Sequence, residues 1–400
     1  MSPPSGDRGR YQEVFLAFLL LGLTSFGGPV AHLGYFRHEF VTRRQWLGER
    51  DYGDLVALCQ FLPGPASSQV GFALGMLRAG PGGAALAWLA FTLPSALLLV
   101  AFALGASLFE GPVGEGLVRG LKVAAVAIVA QAVWGMAKGL CPDRRRAGIA
   151  LAAVFIVVLV GGPLGQVVAI LTGVLAGLAL CRANGDAAPP ATLSLPVSHR
   201  AGGVALLAFL SLLAGLPLLA LATASPTLDL LDAFYRAGAL VFGGGHVVLP
   251  LLEAEVVQSG WVSSDVFLAG YGAAQAVPGP LFTFAAYLGS VLGIGPSGLP
   301  GAAMALVAIF MPGLLLLVAV LPFWNSVRHW AAAQSVMRGA NAAVVGILGV
   351  ALYDPVWTGA ILGPETFALA VAGFLLLVRW QTPAWAVVGL LAVSGILLAS

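Results

Sequence analysis

Long uninterrupted apolar runs constrain this chain more than any other feature. Gly83–Leu108 and Val204–Ala224 contain no charged residue. A run of about 18 or more apolar residues is long enough to cross a bilayer as a helix. Such runs recur along the chain, and only 9% of its 400 residues are charged, against roughly 25% in soluble domains. That is too little charge to cover a water-soluble body of this size. An ordinary cytosolic enzyme, a nucleic-acid binder and a disordered chain are excluded. The expectation is an all-α polytopic protein of the cytoplasmic (inner) membrane, in contact with the lipid bilayer and with no nucleic-acid partner.

The chemistry-bearing residues are sparse. Cys59, Cys141 and Cys181 form no CxxC pair, and the five histidines show no HExxH. Neither a disulfide framework nor a metal site is expected. The two lysines, Lys122 and Lys138, do not follow a Gly-rich loop with phosphate-binding spacing, so no ATP motor is expected. No cofactor is implied. The stretch Met1–Arg10 is polar, and no small-residue cleavage site follows it, so a cleaved leader is not expected.

The sequence repeats itself over about half its length. Phe18, Gly22, Phe26, Gly27 and Gly28 recur as Phe234, Gly238, Phe242, Gly243 and Gly244. Trp46 recurs as Trp261, and Gln60 with Pro63-Gly64-Pro65 as Gln275 with Pro278-Gly279-Pro280. Further on, Gly80-Pro81 matches Gly295-Pro296, Pro94 matches Pro312, and Arg119-Gly120 matches Arg338-Gly339. The matched residues are Gly, Pro, Gln, Trp and Arg, so generic likeness between apolar helices does not explain them. The division is an N-terminal repeat over 1–181, a connecting stretch over 182–225, and a C-terminal repeat over 226–400. Each repeat reads as a segment broken at Gly-Gly (13–41 and 227–257), then a segment broken at Pro-Gly-Pro (54–79 and 265–292). Two long spans and a short apolar pair follow. Between the repeats lie the polar stretch Arg182–Arg200 and one unmatched apolar helix, 204–224.

One extra crossing between two even-numbered halves turns the second upside down, as in many secondary transporters. Charge placement agrees. Of 19 Lys and Arg residues, 15 precede residue 201. Loop 37–51 carries Arg37, Arg43, Arg44 and Arg50, whereas its counterpart 252–266 carries Glu253, Glu255 and Asp265. Basic residues mark the cytoplasmic side of short loops, so the two loops face opposite sides. The whole charge pattern is most consistent when the broken segments re-enter rather than cross. The expected fold is thus two inverted repeats with broken, re-entrant helices, joined by one extra transmembrane helix.

The repeated breaks are the candidate site. A helix start after Pro-Gly-Pro exposes unpaired N–H groups at the positive end of a dipole, which suits an anion. Pro63, Gly64 and Pro65 lead into Ser67, Ser68 and Gln69, while Pro278, Gly279 and Pro280 lead into Thr283. Gln60 and Gln275 stand just upstream. The other break places Ser25, Gly27 and Gly28 opposite Gly243, Gly244 and His246. These glycines serve either a site or close helix packing. His246 is either a proton-coupling group or an interior hydrogen-bonding histidine. Lys122, with Asn341 at its repeat position, is an ionisable group just inside a span. It either serves the substrate path or snorkels to the interface, an ambiguity shared by Arg119 and Arg338.

As a set, these words resemble the chromate ion transporter (CHR) family. The resemblance rests on Ser25 through Pro29, Trp46, Gln60 through Pro65 and Gly75 through Ser95. In the second half it rests on the stretch from Phe242 to Glu253 and on Gln275 through Pro280. It covers nearly the whole chain and implies the fused two-domain form. It further implies efflux of chromate, with sulfate as the structural analogue, by a protein that is not an enzyme. Uptake or exchange of sulfate or another oxyanion is the alternative. A membrane-embedded enzyme acting on lipid ranks lower, since the acidic residues lie mostly at segment ends. A homo-oligomer is neither required nor excluded.

Overall fold

The computed structural model describes residues 7–105, 111–181, 197–327 and 330–399. Most of the expected polar stretch 182–200 therefore lies outside the described residues. All regular structure among the described residues is helical. The first repeat contains α1 (Asp7–Thr24), α2 (Gly28–Phe36) continued by a π-helical stretch to Arg43, α3 (Glu49–Phe61), α4 (Ala66–Leu104), α5 (Pro112–Leu140), α6 (Arg144–Val160) and α7 (Gly162–Leu180). Helix α8 (His199–Thr223) connects the repeats. The second repeat holds α9 (Pro226–Ala239), α10 (Val248–Val256), α11 (Ser264–Ala274), α12 (Phe284–Val291), α13 (Gly298–Val320), the short α14 (Trp324–Val327), α15 (Ala331–Ala351), the short α16 (Thr358–Ala360), α17 (Pro364–Val378) and α18 (Ala384–Ala399). Among the described residues, six helical stretches are long and apolar enough to cross a membrane. This is a multi-pass membrane protein.

The broken segments are hairpins of helices shorter than a full span, from the 18 residues of α1 down to the 8 of α12. Helix α3 has 13 residues, about 20 Å at 1.5 Å per residue, whereas a span needs about 20 residues. Inside α4 the backbone leaves helical geometry at Ala79 and Gly80, so 66–78 forms one arm and 81–104 another. The arms cross where Gly75 meets Gly83, and a Cβ on either would strike the other's carbonyl oxygen. The second repeat makes the same crossing between α12 and α13, at Gly289 and Gly301.

Ion pairs and aromatic contacts settle where the hairpins open. Glu13, near the start of α1, bonds Arg44 and Arg78, at 3.1 and 2.6 Å, and accepts a hydrogen bond from Trp46. The start of the first segment, its end, and the end of the second thus share one place. Both segments of the first repeat enter and return on the same side. Phe40 packs tilted against Trp46 with ring centroids 4.5 Å apart, and the guanidinium groups of Arg44 and Arg78 lie over that indole. In the second repeat Arg236 on α9 bonds Asp232 and, at the end of α10, Glu255. Gly293, past α12, donates to the Trp261 carbonyl, and Gly295 abuts Pro226 at the start of α9. Its segments likewise return to one side.

The two mouths lie at opposite ends. The long arm of α4 begins beside Tyr11, which touches Gly82. It runs away from the first mouth for 24 residues, about 36 Å. A third of the way along α5, Lys122 pairs with Asp265 at the start of α11, at 2.7 Å, which marks the second mouth. Helix α5 then returns toward Arg144, Arg145 and Arg146, which share a cavity with Arg338. One end is rich in arginine and the other in carboxylates, so the repeats are inverted.

Each repeat lends helices to the other. Helices α6 and α7 pack along α15, while α17 and α18 pack along α5. Gly173 and Gly177 meet Gly339 at the first of these seams, and Gly395 meets Gly116 and Gly120 at the second. The exchange follows the pseudo-twofold relation and is not legible in either repeat alone.

Candidate transport site at the crossing of the repeats

Each Pro-Gly-Pro tip is bonded to the Gly-Gly break of the other repeat. The Gly64 N–H donates to the Val241 carbonyl at 2.8 Å, and the Gly279 N–H donates to the Ser25 carbonyl at 2.9 Å. Gly64 and Gly279 have φ of 114° and 96°, a conformation glycine adopts without penalty. A Cβ on Gly64 would lie 3.0 Å from Gly313 Cα, and one on Gly279 would lie 2.8 Å from Ser95 Oγ. Gly313 and Ser95 each follow the repeat-matched prolines, Pro312 and Pro94. The same staple is therefore made twice.

This corrects one sequence expectation. The two tip glycine N–H groups are spent on the opposite repeat and are not free for an anion. Other expected donors are also occupied. Thr283 Oγ1 donates to the Pro280 carbonyl at 2.7 Å. Gln69 Nε2 donates to the Pro63 and Gly313 carbonyls, closing the crossing beside Pro65. His32, fully buried, lies 3.2 Å through Nε2 from the Ser25 carbonyl and 3.4 Å through Nδ1 from Ser67 Oγ. A carbonyl only accepts, so Nε2 carries the proton and the Ser67 hydroxyl donates to Nδ1. Ser68 Oγ and Ser25 Oγ are buried without a partner. Gln60 is exposed on α3, away from its counterpart's surroundings.

The other crossing stays open. A small cavity of about 70 Å³ is lined by Gly27, Gly28, His246, Gln275 and Gly279, together with Gln131 of α5. It shares Gly27, Gln131 and His246 with a wider cavity of about 580 Å³ that extends past Trp134 and Met136 and along Gln381–Ala384. Those α5 residues lead toward the arginine-rich end, where Lys138 sits 4.5 Å over the Trp134 ring. The structure is thus open on the basic side and narrows at the break. Gly243, next to Gly244, reaches the same α5 face. Its Cβ would meet Met136, Leu140 and the Oδ1 of Asn341, and that oxygen has no partner.

The donors here are neutral. Gln275 Nε2 is buried near the Tyr271 hydroxyl and makes no hydrogen bond of full geometry. His246 Nδ1 lies 3.0 Å from the Tyr271 hydroxyl, which leaves Nε2 for the cavity. Helix α2 begins at Gly28 with Pro29 in its first turn and no side-chain cap, so its first N–H groups and positive dipole end lie at the cavity wall. No charged side chain lines either cavity among the described residues. Lys122 is not part of this site. Its ammonium is held by Asp265, nine residues or about 14 Å along α5 from Gln131. Pro278 and Pro280 shape the tip and offer no donor.

Gln131, Tyr271 and His32 escaped the sequence reading. Their repeat positions are valine in each case, at 350, 56 and 248, so a search for repeated residues passes over them.

An inverted pair of repeats whose broken helices meet at a polar cavity is an arrangement shared with many secondary transporters. The chain belongs to the chromate transporter family, whose family model matches residues 12–178 and again 228–396. It is 30% identical over 345 residues to the probable chromate transport protein of Synechococcus elongatus, covering 84% of this chain and 82% of that one. It is 28% identical over 403 residues to the chromate transport protein of Pseudomonas aeruginosa, covering 96% and 90%. The chromate transport protein of Cupriavidus metallidurans is 28% identical over 341 residues, covering 84% and 80%. No solved structure matches the chain.

Proposed function

We propose that this protein is a secondary carrier that exports chromate, or a closely similar tetrahedral oxyanion, across the cytoplasmic membrane and so confers chromate resistance. The observation that carries the reading is the donor-lined cavity at the Ser25–Gly279 crossing, open toward the arginine-rich end. A dianion leaving water needs several hydrogen-bond donors and no competing carboxylate. The Gln275 and Gln131 amides, His246 and the start of α2 supply such donors. The relatives named as chromate transport proteins support chromate as the cargo. Arginine enrichment at the open end supports a cytoplasmic orientation for it, the side on which an exported ion loads.

Energetics favour the outward direction. With a negative-inside potential, moving a dianion out is electrically downhill by about 4.6 kcal/mol per 100 mV. Uptake would require a coupled cation. Sulfate has the same shape and charge and is expected to compete. Chromium accumulation in inside-out vesicles, with and without a proton gradient and with excess sulfate, tests the reading. Accumulation above empty vesicles, reduced by sulfate, is expected. Accumulation no greater than in empty vesicles, with the protein present in the membrane, removes chromate as the cargo.

A further inference from the structure

A second cavity, of about 440 Å³, lies at the arginine-rich end and shares no residue with the transport cavity. It is framed by Arg144, Arg145 and Arg146 of α6, by Cys181 after α7, and by Arg338 of α15. It therefore sits where a hairpin of the first repeat packs on a helix of the second. Four guanidinium groups face one carboxylate, Asp143.

Two of the four arginines have structural partners. Arg145 donates to the Leu180 carbonyl at 2.9 Å and so closes the end of α7. Arg146 bonds Asp143 through both its backbone N–H and its Nε. Those bonds hold the Asp143 carboxyl below the usual carboxylate range, so it stays charged and committed to Arg146. The side chains of Arg144 and Arg338 make no hydrogen bond or ion pair among the described residues. An arginine pair with no carboxylate left to share is a forked donor set suited to phosphate.

The surroundings distinguish the source of that phosphate. Leu151, Phe155 and Val158 are spaced four and three residues apart on α6, all are exposed, and the 3.6-residue turn puts them on the same helix face as Arg144. They form an apolar stripe on the helix face that Arg144 occupies at the cavity. A head group in the guanidinium pocket would lay its acyl chain along this stripe. A free anion would make no use of it.

We propose that this cavity is a binding site for the phosphate head group of an anionic glycerophospholipid, recognised by Arg144 and Arg338. Bound there, the lipid bridges α6 and α15 and clamps the seam between the two repeats. Basic pockets between transmembrane helices on the cytoplasmic side are well suited to such lipids.

The test uses the purified full-length protein in detergent, read by native mass spectrometry and thermal unfolding. The probes are phosphatidylglycerol, phosphatidylcholine and inorganic phosphate. Phosphatidylglycerol is expected to remain bound and raise the unfolding temperature, and the other two are not. R144Q and R338Q should each weaken retention roughly tenfold, because a hydrogen bond to a charged group is worth about one power of ten. Without lipid, R144Q should melt as the wild type does, since its side chain is exposed and unpaired. Equal retention of phosphatidylcholine overturns the proposal. So does phosphatidylglycerol retention unchanged in R144Q and R338Q. A full thermal shift from inorganic phosphate alone also overturns it, and makes the cavity a free-anion site. None of these outcomes depends on what the protein transports.

Discussion

The two crossings of tip and break share a backbone and differ in what surrounds it. At one, Gly64 bonds Val241, and Gln69 fills the space by bonding the Pro63 and Gly313 carbonyls. At the other, Gly279 bonds Ser25, but Phe284 stands at the position matching Gln69, and Gln275 Nε2 is left without a hydrogen bond of full geometry beside a cavity. Repetition supplies the scaffold. Side chains that break the repetition decide which crossing binds.

The largest expected effect concerns the inversion, because it is all-or-none. In intact cells Cys141, half-buried at the basic end, should label only with reagents that reach the cytoplasm. A cysteine introduced at Ser259, exposed beside the carboxylate-rich mouth, should label from outside. Cys181 is buried and should label poorly from either side. Labelling of Cys141 and residue 259 from one side would contradict the inverted arrangement.

Next come the tip glycines. Gly64→Ala places a Cβ against the Gly313 backbone and forces a positive φ that costs about 1–2 kcal/mol by itself, so thermal stability should fall. Gly279→Ala meets mainly the Ser95 hydroxyl. Transport should fall with less unfolding, and Ser95→Ala should restore part of it. If the two alanine variants unfold equally and Ser95→Ala restores nothing, the crossings are equivalent.

The histidines sharpen the comparison further. His246→Ala should weaken substrate affinity about tenfold with little change in melting, since one cavity donor is lost. His32→Ala should instead destabilise the protein by roughly 1–3 kcal/mol, because His32 packs against Phe91 and links Ser25 to Ser67. Binding isotherms and melting curves on both variants separate the two roles. The reverse pattern would exchange them.

The smallest effect is expected at Lys122. Asp265 is 70% exposed while the Lys122 side chain is only 10% exposed. Lys122→Gln should cost about 0–1 kcal/mol, as surface pairs do, and leave affinity unchanged. Asp265→Asn should cost more, because it strands a largely buried ammonium. A loss of affinity in Lys122→Gln that Lys122→Arg does not share would return Lys122 to the substrate path.

What could be read from the sequence follows from this division. The apolar runs, the breaks and the tips are written in glycine and proline, whose backbone demands are local. Their recurrence carried the repeat, and the charge asymmetry of the two loops carried its inversion. The partner of each tip was not legible, since Gly64–Val241 and Gly279–Ser25 are tertiary pairings between repeats. For that reason the tip N–H groups were expected to be free. Lys122 read as a path residue because its partner lies 143 positions away. Gln131 and Tyr271 left no signal, being polar where the other repeat is valine.

Chromate binding to the purified protein, measured by isothermal titration calorimetry on Gln275→Ala and Gln60→Ala, tests the asymmetry most directly. These glutamines occupy matched positions in the two repeats, one beside the cavity and one exposed on α3. The account predicts that Gln60→Ala binds as the wild type does, and that Gln275→Ala binds about tenfold more weakly. Equal weakening in both variants, or none in either, would contradict it.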